Sequence, residues 1–138
     1  MERYTSQVSQ PLSPFCIYTI RHHQDLDEAY RRGGNGQFTE NTTWNTGNRL
    51  SMEAKKSGQR MPVIFASADI TDRLIYYAML EDVEINESDL TTTYEFKGLQ
   101  QIASHLPLSS LKLRSTNRPL SNNFIRPYAI CLTPSFVE

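Results

Sequence analysis

Tryptophan occurs once in this chain, at Trp44, within the polar run Thr42-Thr43-Trp44-Asn45-Thr46-Gly47-Asn48. An indole held between amides and hydroxyls can stack on a flat heterocycle while its neighbours read the hydrogen-bonding edge. Such stacking is worth roughly 1–3 kcal/mol per base. Asn45 and Thr46 are the adjacent edge-reading groups, Ser67 and Tyr76 each add a hydroxyl from apolar runs, and Arg21 and Arg126 add guanidinium groups suited to a phosphate. Trp44, Asn45, Thr46, Ser67, Arg21, Tyr76 and Arg126 therefore form the candidate ligand-binding set. The competing reading of Trp44 is a lid folded back on the core.

Other chemistry is poorly served. His22, His23, His105, Cys16 and Cys131 show none of the short spacings of metal ligands, so no metal is expected. Cys16 and Cys131 lie in apolar runs, without a basic neighbour or helix N-terminus to lower a thiol pKa, and read as buried free thiols rather than nucleophiles. They pair only if neighbouring strands bring them together. No cofactor motif and no specific catalytic motif is present.

Length and composition bound what must position these groups. A chain of 138 residues with 38% apolar and 21% charged residues suits one globular domain. Residues 1–14 read as an extended or disordered lead-in and residues 15–138 as a single domain. No segment is apolar for long enough to span a bilayer. The start lacks the apolar core of a secretory signal, so a cytoplasmic setting is expected. Net charge is -1, which argues against a protein gripping long nucleic acid through many phosphates. That average hides a pattern: residues 1–60 carry +2, residues 61–95 carry -7 and residues 96–138 carry +4. The basic end can meet an anionic partner or fold back on the acidic middle.

Phe15 to Arg21 alternates and is rich in β-branched and aromatic residues, which predicts a strand. Asp25 and Glu28 have capping-box spacing, and Gly33-Gly34 stops the helix that follows. Residues 35–46, rich in Asn, Thr and Gly, read as a loop. A short helix is expected from about Gly47, capped by Thr46 or Asn48, with Lys55 and Lys56 in its last turn and Gly58 as its stop. Met61 to Ser67 and Arg73 to Ile85 form an expected hairpin, with a further strand over Thr91 to Phe96. Leu99, Ile102, Ala103 and Leu106 have helical spacing, Ser109 to Ser115 suits a short strand, and Tyr128 to Leu132 closes the fold. The sum is an α+β fold: a small mixed, mostly antiparallel β-barrel or half-barrel of about six strands with two or three short helices.

The run Ser57-Gly58-Gln59-Arg60-Met61-Pro62-Val63-Ile64-Phe65-Ala66-Ser67 resembles the strand-opening stretch of the PUA-like superfamily, especially its ASCH and EVE domains, with Gln59 where an acidic residue is common. Leu74 to Ile85 is similar to the strand that follows in those domains, with Ala78 as its small residue. The resemblance implies a pocket between barrel and helices that accepts a modified base, a nucleotide or a short RNA without catalysis. A second expectation is protein interaction or homodimerisation through the segregated acidic and basic faces. A third is an ASCH-like nucleoside or RNA hydrolase, for which Lys55, Thr46 and Glu53 would have to converge.

Overall fold

Strands that must bury both faces read as continuous apolar runs, and this explains the centre of the chain. The computed structural model describes residues 10–70, 73–124 and 126–137. Residues 1–9 of the expected lead-in lie outside the described residues. The elements in order are β1 (Phe15–Arg21), α1 (His23–Arg31), β2 (Gly36–Glu40), α2 (Asn45–Lys56), β3 (Pro62–Ser67), β4 (Arg73–Asn86), β5 (Thr91–Pro107), a 3-10 turn (Leu108–Ser110) and β6 (Tyr128–Leu132). They build an α+β domain around one six-stranded mixed sheet of order β2-β5-β4-β3-β1-β6, in which only the β1–β3 pair is parallel.

All six residues of β3 are buried because the sheet has a core on each face. On one face Ile17, Val63, Phe65, Tyr94 and Phe96 pack under Leu26 and Ala29 of α1 and Leu50 and Ala54 of α2. On the other, Cys16, Tyr18, Ile64 and Leu74 are covered by Leu108, Leu111, Leu120 and Val137 of the C-terminal segment. Cys16 and Cys131 are register partners on β1 and β6, both fully buried and both free thiols. Burial pushes both thiols up, Cys131 to about 12.

The edges of the sheet, β2 and β6, do not pair with each other, so the sheet is open: of the expected barrel or half-barrel, the closed barrel is not formed among the described residues. The sheet nevertheless curls. β1 and β2 are separated by three strands, yet Arg21 at the end of β1 reaches Glu40 at the end of β2. Phe38 of β2 likewise meets Phe65 of β3 edge-to-face, with ring centroids 6.2 Å apart.

Several expected elements differ. Leu99 to Leu106 is not a helix but the distal half of β5. Bulges spread its apolar residues to near-helical spacing: Gln101 pairs with Tyr76 and Leu106 with Leu74, so four β5 residues stand opposite Ile75 alone. Ser104 (φ 70°) and His105 (φ 39°) within that bulge take left-handed backbone conformations. Ser109 to Ser115 supplies only isolated bridges, Lys112 to Pro119 and Leu113 to Cys131. The expected loop over residues 35–46 contains β2, paired with β5 from Gly36–Phe96 to Glu40–Thr92. The described end of the lead-in is not frayed, since Ser13 N–H donates to the Arg60 carbonyl at 2.7 Å. α1 starts two residues before the expected cap, and its first-turn N–H at His23 donates to Asp69 Oδ2 at 2.8 Å. Its cap therefore comes from the β3–β4 turn, which no local sequence pattern could announce.

Candidate functional site

Trp44 is fully buried. Its ring lies between those of Tyr94, at 4.6 Å and 22°, and Tyr128, at 4.9 Å and 5°. The expectation of a solvent-facing stacking platform is thus corrected: both faces of the indole are already covered, so a base has no face to occupy. The physical reason lies in the open sheet. Tyr94 belongs to β5 and Tyr128 to the opposite edge strand β6, and the three stacked rings fill the gap between them. Thr92 Oγ1 fixes this wedge by accepting Trp44 N–H at 2.9 Å and donating to the Thr42 carbonyl at 2.7 Å. Tyr128 Oη accepts the Gly47 N–H at 2.7 Å, satisfying a donor in the first turn of α2. Gly47 allows this approach, because a Cβ there would lie 2.8 Å from Ile17 Cδ1.

Asn45 and Thr46 form the first turn of α2 beside this wedge. Asn45 is exposed, and among the described residues its side chain bonds only locally, to Thr43 Oγ1 at 3.3 Å. Lys55, Thr46 and Glu53 do not make a catalytic group. Lys55 pairs with Asp82 at 3.5 Å and Glu53 with Arg49 at 3.8 Å, both at the surface, while Thr46 sits roughly 10 Å from Glu53 along the helix axis.

Three other candidates come together. Arg21 and Ser67 are register partners at the ends of β1 and β3, and Tyr76 of β4 pairs with Phe65 two residues before Ser67. Arg21, Ser67 and Tyr76 share the helix-covered face with Ile17 and Phe65, so this face turns from apolar to polar at one end of the sheet. The Thr19 hydroxyl donates to the Pro127 carbonyl at 3.0 Å, which brings the exposed Arg126 to the same end.

Arg21 is the hub of this end. Its Nη1 donates to Glu40 Oε2 at 2.8 Å, and its guanidinium carbon stands 4.0 Å from the centroid of the Phe38 ring. Its Nε lies 3.4 Å from Asp25 Oδ2, an ion-pair contact that falls short of a hydrogen bond, leaving Nε–H a buried donor without an acceptor among the described residues. Glu40 also accepts from Tyr94 Oη at 3.1 Å. Burial raises the Glu40 carboxyl above the usual range, against the opposing pull of Arg21 and Tyr94. The Arg21 and Glu40 side chains keep 23% and 19% of their exposure, enough for solvent or a ligand to reach them.

A second polar chain adjoins the first across α1. Tyr76 Oη donates to Asp27 Oδ1 at 2.6 Å and accepts from Gln101 Nε2 at 3.3 Å. His23 Nε2 lies 3.7 Å from Asp27 Oδ1, and the strained β5 bulge sets the His105 ring 5.9 Å from that of His23. Ser67 Oγ is occupied in accepting the N–H groups of Asp69 and Ile70 at 3.0 and 2.9 Å, so it shapes the turn and offers no free acceptor edge. Asp69 also meets His22 Nδ1 at 3.2 Å, and its carboxyl is held below the usual range by the His23 N–H and then His22. No group of three or more His, Cys, Asp or Glu side chains converges for a metal among the described residues.

Glu40, Phe38, Asp25, Asp27 and His105 were absent from the candidate set. The alternation Gly36-Phe38-Glu40 on one face of β2 was a usable signal for two of them. The contacts of the rest depend on strand order and a bulge. The hollows lined by Gly36 and Glu95, by Lys55 and Arg60, and by Thr133 and Phe136 include neither Trp44 nor Arg21. The site is thus a partly exposed polar face at the sheet end. No helix among the described residues is long and apolar enough to cross a membrane. No family model and no curated protein matches the chain.

Proposed function

We propose that this chain is a non-enzymatic binding module of PUA-like type that takes the base of a modified nucleoside, a nucleotide or a short RNA at the Arg21–Glu40 end of its curled sheet. The observation carrying this reading is the pairing of Arg21 donors with a Glu40 acceptor, set against the Phe38 ring and still partly exposed. Arg21 already faces the carboxylates of Glu40 and Asp25, so its charge is largely spent. A phosphate would gain little there. A neutral planar heterocycle with both donor and acceptor edges suits the mixed array better, leaving any phosphate to Arg126.

Calorimetric titration with a panel of nucleosides and mononucleotides tests the reading. Binding is expected, and Glu40→Gln, which replaces one acceptor oxygen by a donor, should weaken it by roughly 5- to 150-fold, the equivalent of about 1–3 kcal/mol for one edge-reading group. A flat response across the panel would overturn the proposal.

The alternative is self-association through opposed charges. Its support is that Lys112, Arg114, Arg118 and Arg126 have no ion pair among the described residues, while Glu84 and Glu87 lie exposed toward the β4–β5 turn. Sedimentation at low and high salt separates the two, since only this reading predicts a salt-sensitive oligomer without ligand.

A further inference from the structure

The acidic hairpin is partly neutralised by the fold, through Lys97 on Glu81 at 3.2 Å and Lys55 on Asp82 at 3.5 Å. The basic C-terminal segment is not. Lys112, Arg114, Arg118 and Arg126 are all exposed, and no ion pair among the described residues includes them.

Backbone bonds place Lys112 and Arg114 beside β6 and Arg118 on the next stretch of chain outward. Leu132 N–H donates to the Lys112 carbonyl at 2.9 Å and Arg114 N–H to the Ile130 carbonyl at 3.0 Å, so residues 112–114 run along the outer edge of β6. Leu113 N–H donates to the Arg118 carbonyl at 2.9 Å, and Asn117 takes a left-handed conformation (φ 60°), which folds Arg118 back beside Leu113. Arg126 precedes Ile130 by four residues, about 13 Å at the rise of an extended chain. The Thr19–Pro127 hydrogen bond keeps it at the Arg21 end of the sheet. Exposed Thr116, Asn117, Ser121 and Asn123 lie in the same segment and add neutral donors.

We infer that this strip beside β6 is the path of a single-stranded nucleic acid, whose backbone phosphates meet Lys112, Arg114, Arg118 and Arg126. A strand on that path leads to Arg21 and Glu40; that last step rests on the function proposed above, whereas the path itself does not. Arginines spaced over several ångströms with interleaved hydroxyls and amides match a run of phosphates. A membrane surface fits less well, because among the described residues the exposed large apolar ones, Tyr30, Met52, Ile70 and Leu90, all lie outside residues 106–137. A second copy also fits less well. Its acidic tip would meet the strip through exposed ion pairs, which contribute little.

Fluorescence anisotropy with a labelled single-stranded RNA of about ten nucleotides, repeated across salt concentrations, is the test. Four phosphate contacts predict a slope of log affinity against log salt of about -2.8, so affinity falls roughly 50-fold between 50 and 200 mM salt. Lys112→Gln with Arg118→Gln should reduce the slope to about -1.4 and the fall to roughly 7-fold, while nucleoside binding stays unchanged. Circular dichroism confirms that the double variant remains folded. A slope near zero, or one the double variant does not change, overturns the path. So does a salt-sensitive oligomer that forms without RNA, fails to bind it, and is lost in the double variant. Nucleoside binding with no gain for the oligonucleotide overturns the path and leaves the base site standing. An oligonucleotide response with the expected slope but indifferent to Glu40→Gln supports the path and removes the base site.

Discussion

Replacing Trp44 by alanine should cost the fold far more than it costs any ligand. The side chain is fully buried and stacked on both faces. Emptying a large aromatic site typically costs about 3–5 kcal/mol, and each lost ring pair carries about 0.5–1.5 kcal/mol beyond burial. With two such pairs the expected loss is about 4–8 kcal/mol, a large share of the roughly 5–15 kcal/mol that holds a domain together. Trp44→Phe keeps a ring between Tyr94 and Tyr128 and should lose about half as much. Urea unfolding followed by circular dichroism measures both variants. Because Trp44 is the chain's only tryptophan, native emission reports the same point: it should be blue-shifted and poorly quenched, shifting red on unfolding. A Trp44→Ala protein within about 1 kcal/mol of wild type, or native emission open to quencher, would refute the wedge.

Two further outcomes follow from the same geometry. Tyr128→Phe keeps the stack but removes the acceptor of the Gly47 N–H, so it should destabilise by about 1–2 kcal/mol while leaving the native emission blue-shifted; an unchanged denaturation midpoint would show that the bond does not matter. Glu40 titrates above the usual carboxyl range in the folded state, so the native protein binds a proton there that the unfolded chain has released. The Glu40 contribution to stability is therefore fullest below the ordinary glutamate range and declines as pH rises through that range to the raised value. Glu40→Gln should flatten this segment of the stability–pH curve, and an identical curve in the variant would contradict the burial assigned to Glu40.

The sequence carried the elements whose signal is local. β1, the β3–β4 hairpin and β6 are dense in β-branched and aromatic residues over short runs, and α2 ends at Lys55, Lys56 and Gly58 as helix-end chemistry requires. The distal half of β5 does not read as a strand because bulges displace Leu99, Ile102 and Leu106 from strict alternation, and alternation is the main mark of a strand. Trp44 misled for a related reason: its polar neighbours describe the turn and the helix start, whereas its environment is set by Tyr94 and Tyr128, distant in sequence and joined only by the curl of the sheet. Arg21, Ser67 and Tyr76 were found as residue types. Their meeting, and the part played by Glu40, follow from strand order, which a single sequence does not reveal.

Amide chemical-shift mapping during titration with a bound nucleoside tests the central assignment most directly. The largest shifts should gather at residues 19–25, 38–40 and 67–69, with the Trp44 indole N–H almost still. Shifts centred on the Trp44 indole and the first turn of α2, with the Arg21–Glu40 end undisturbed, would contradict it.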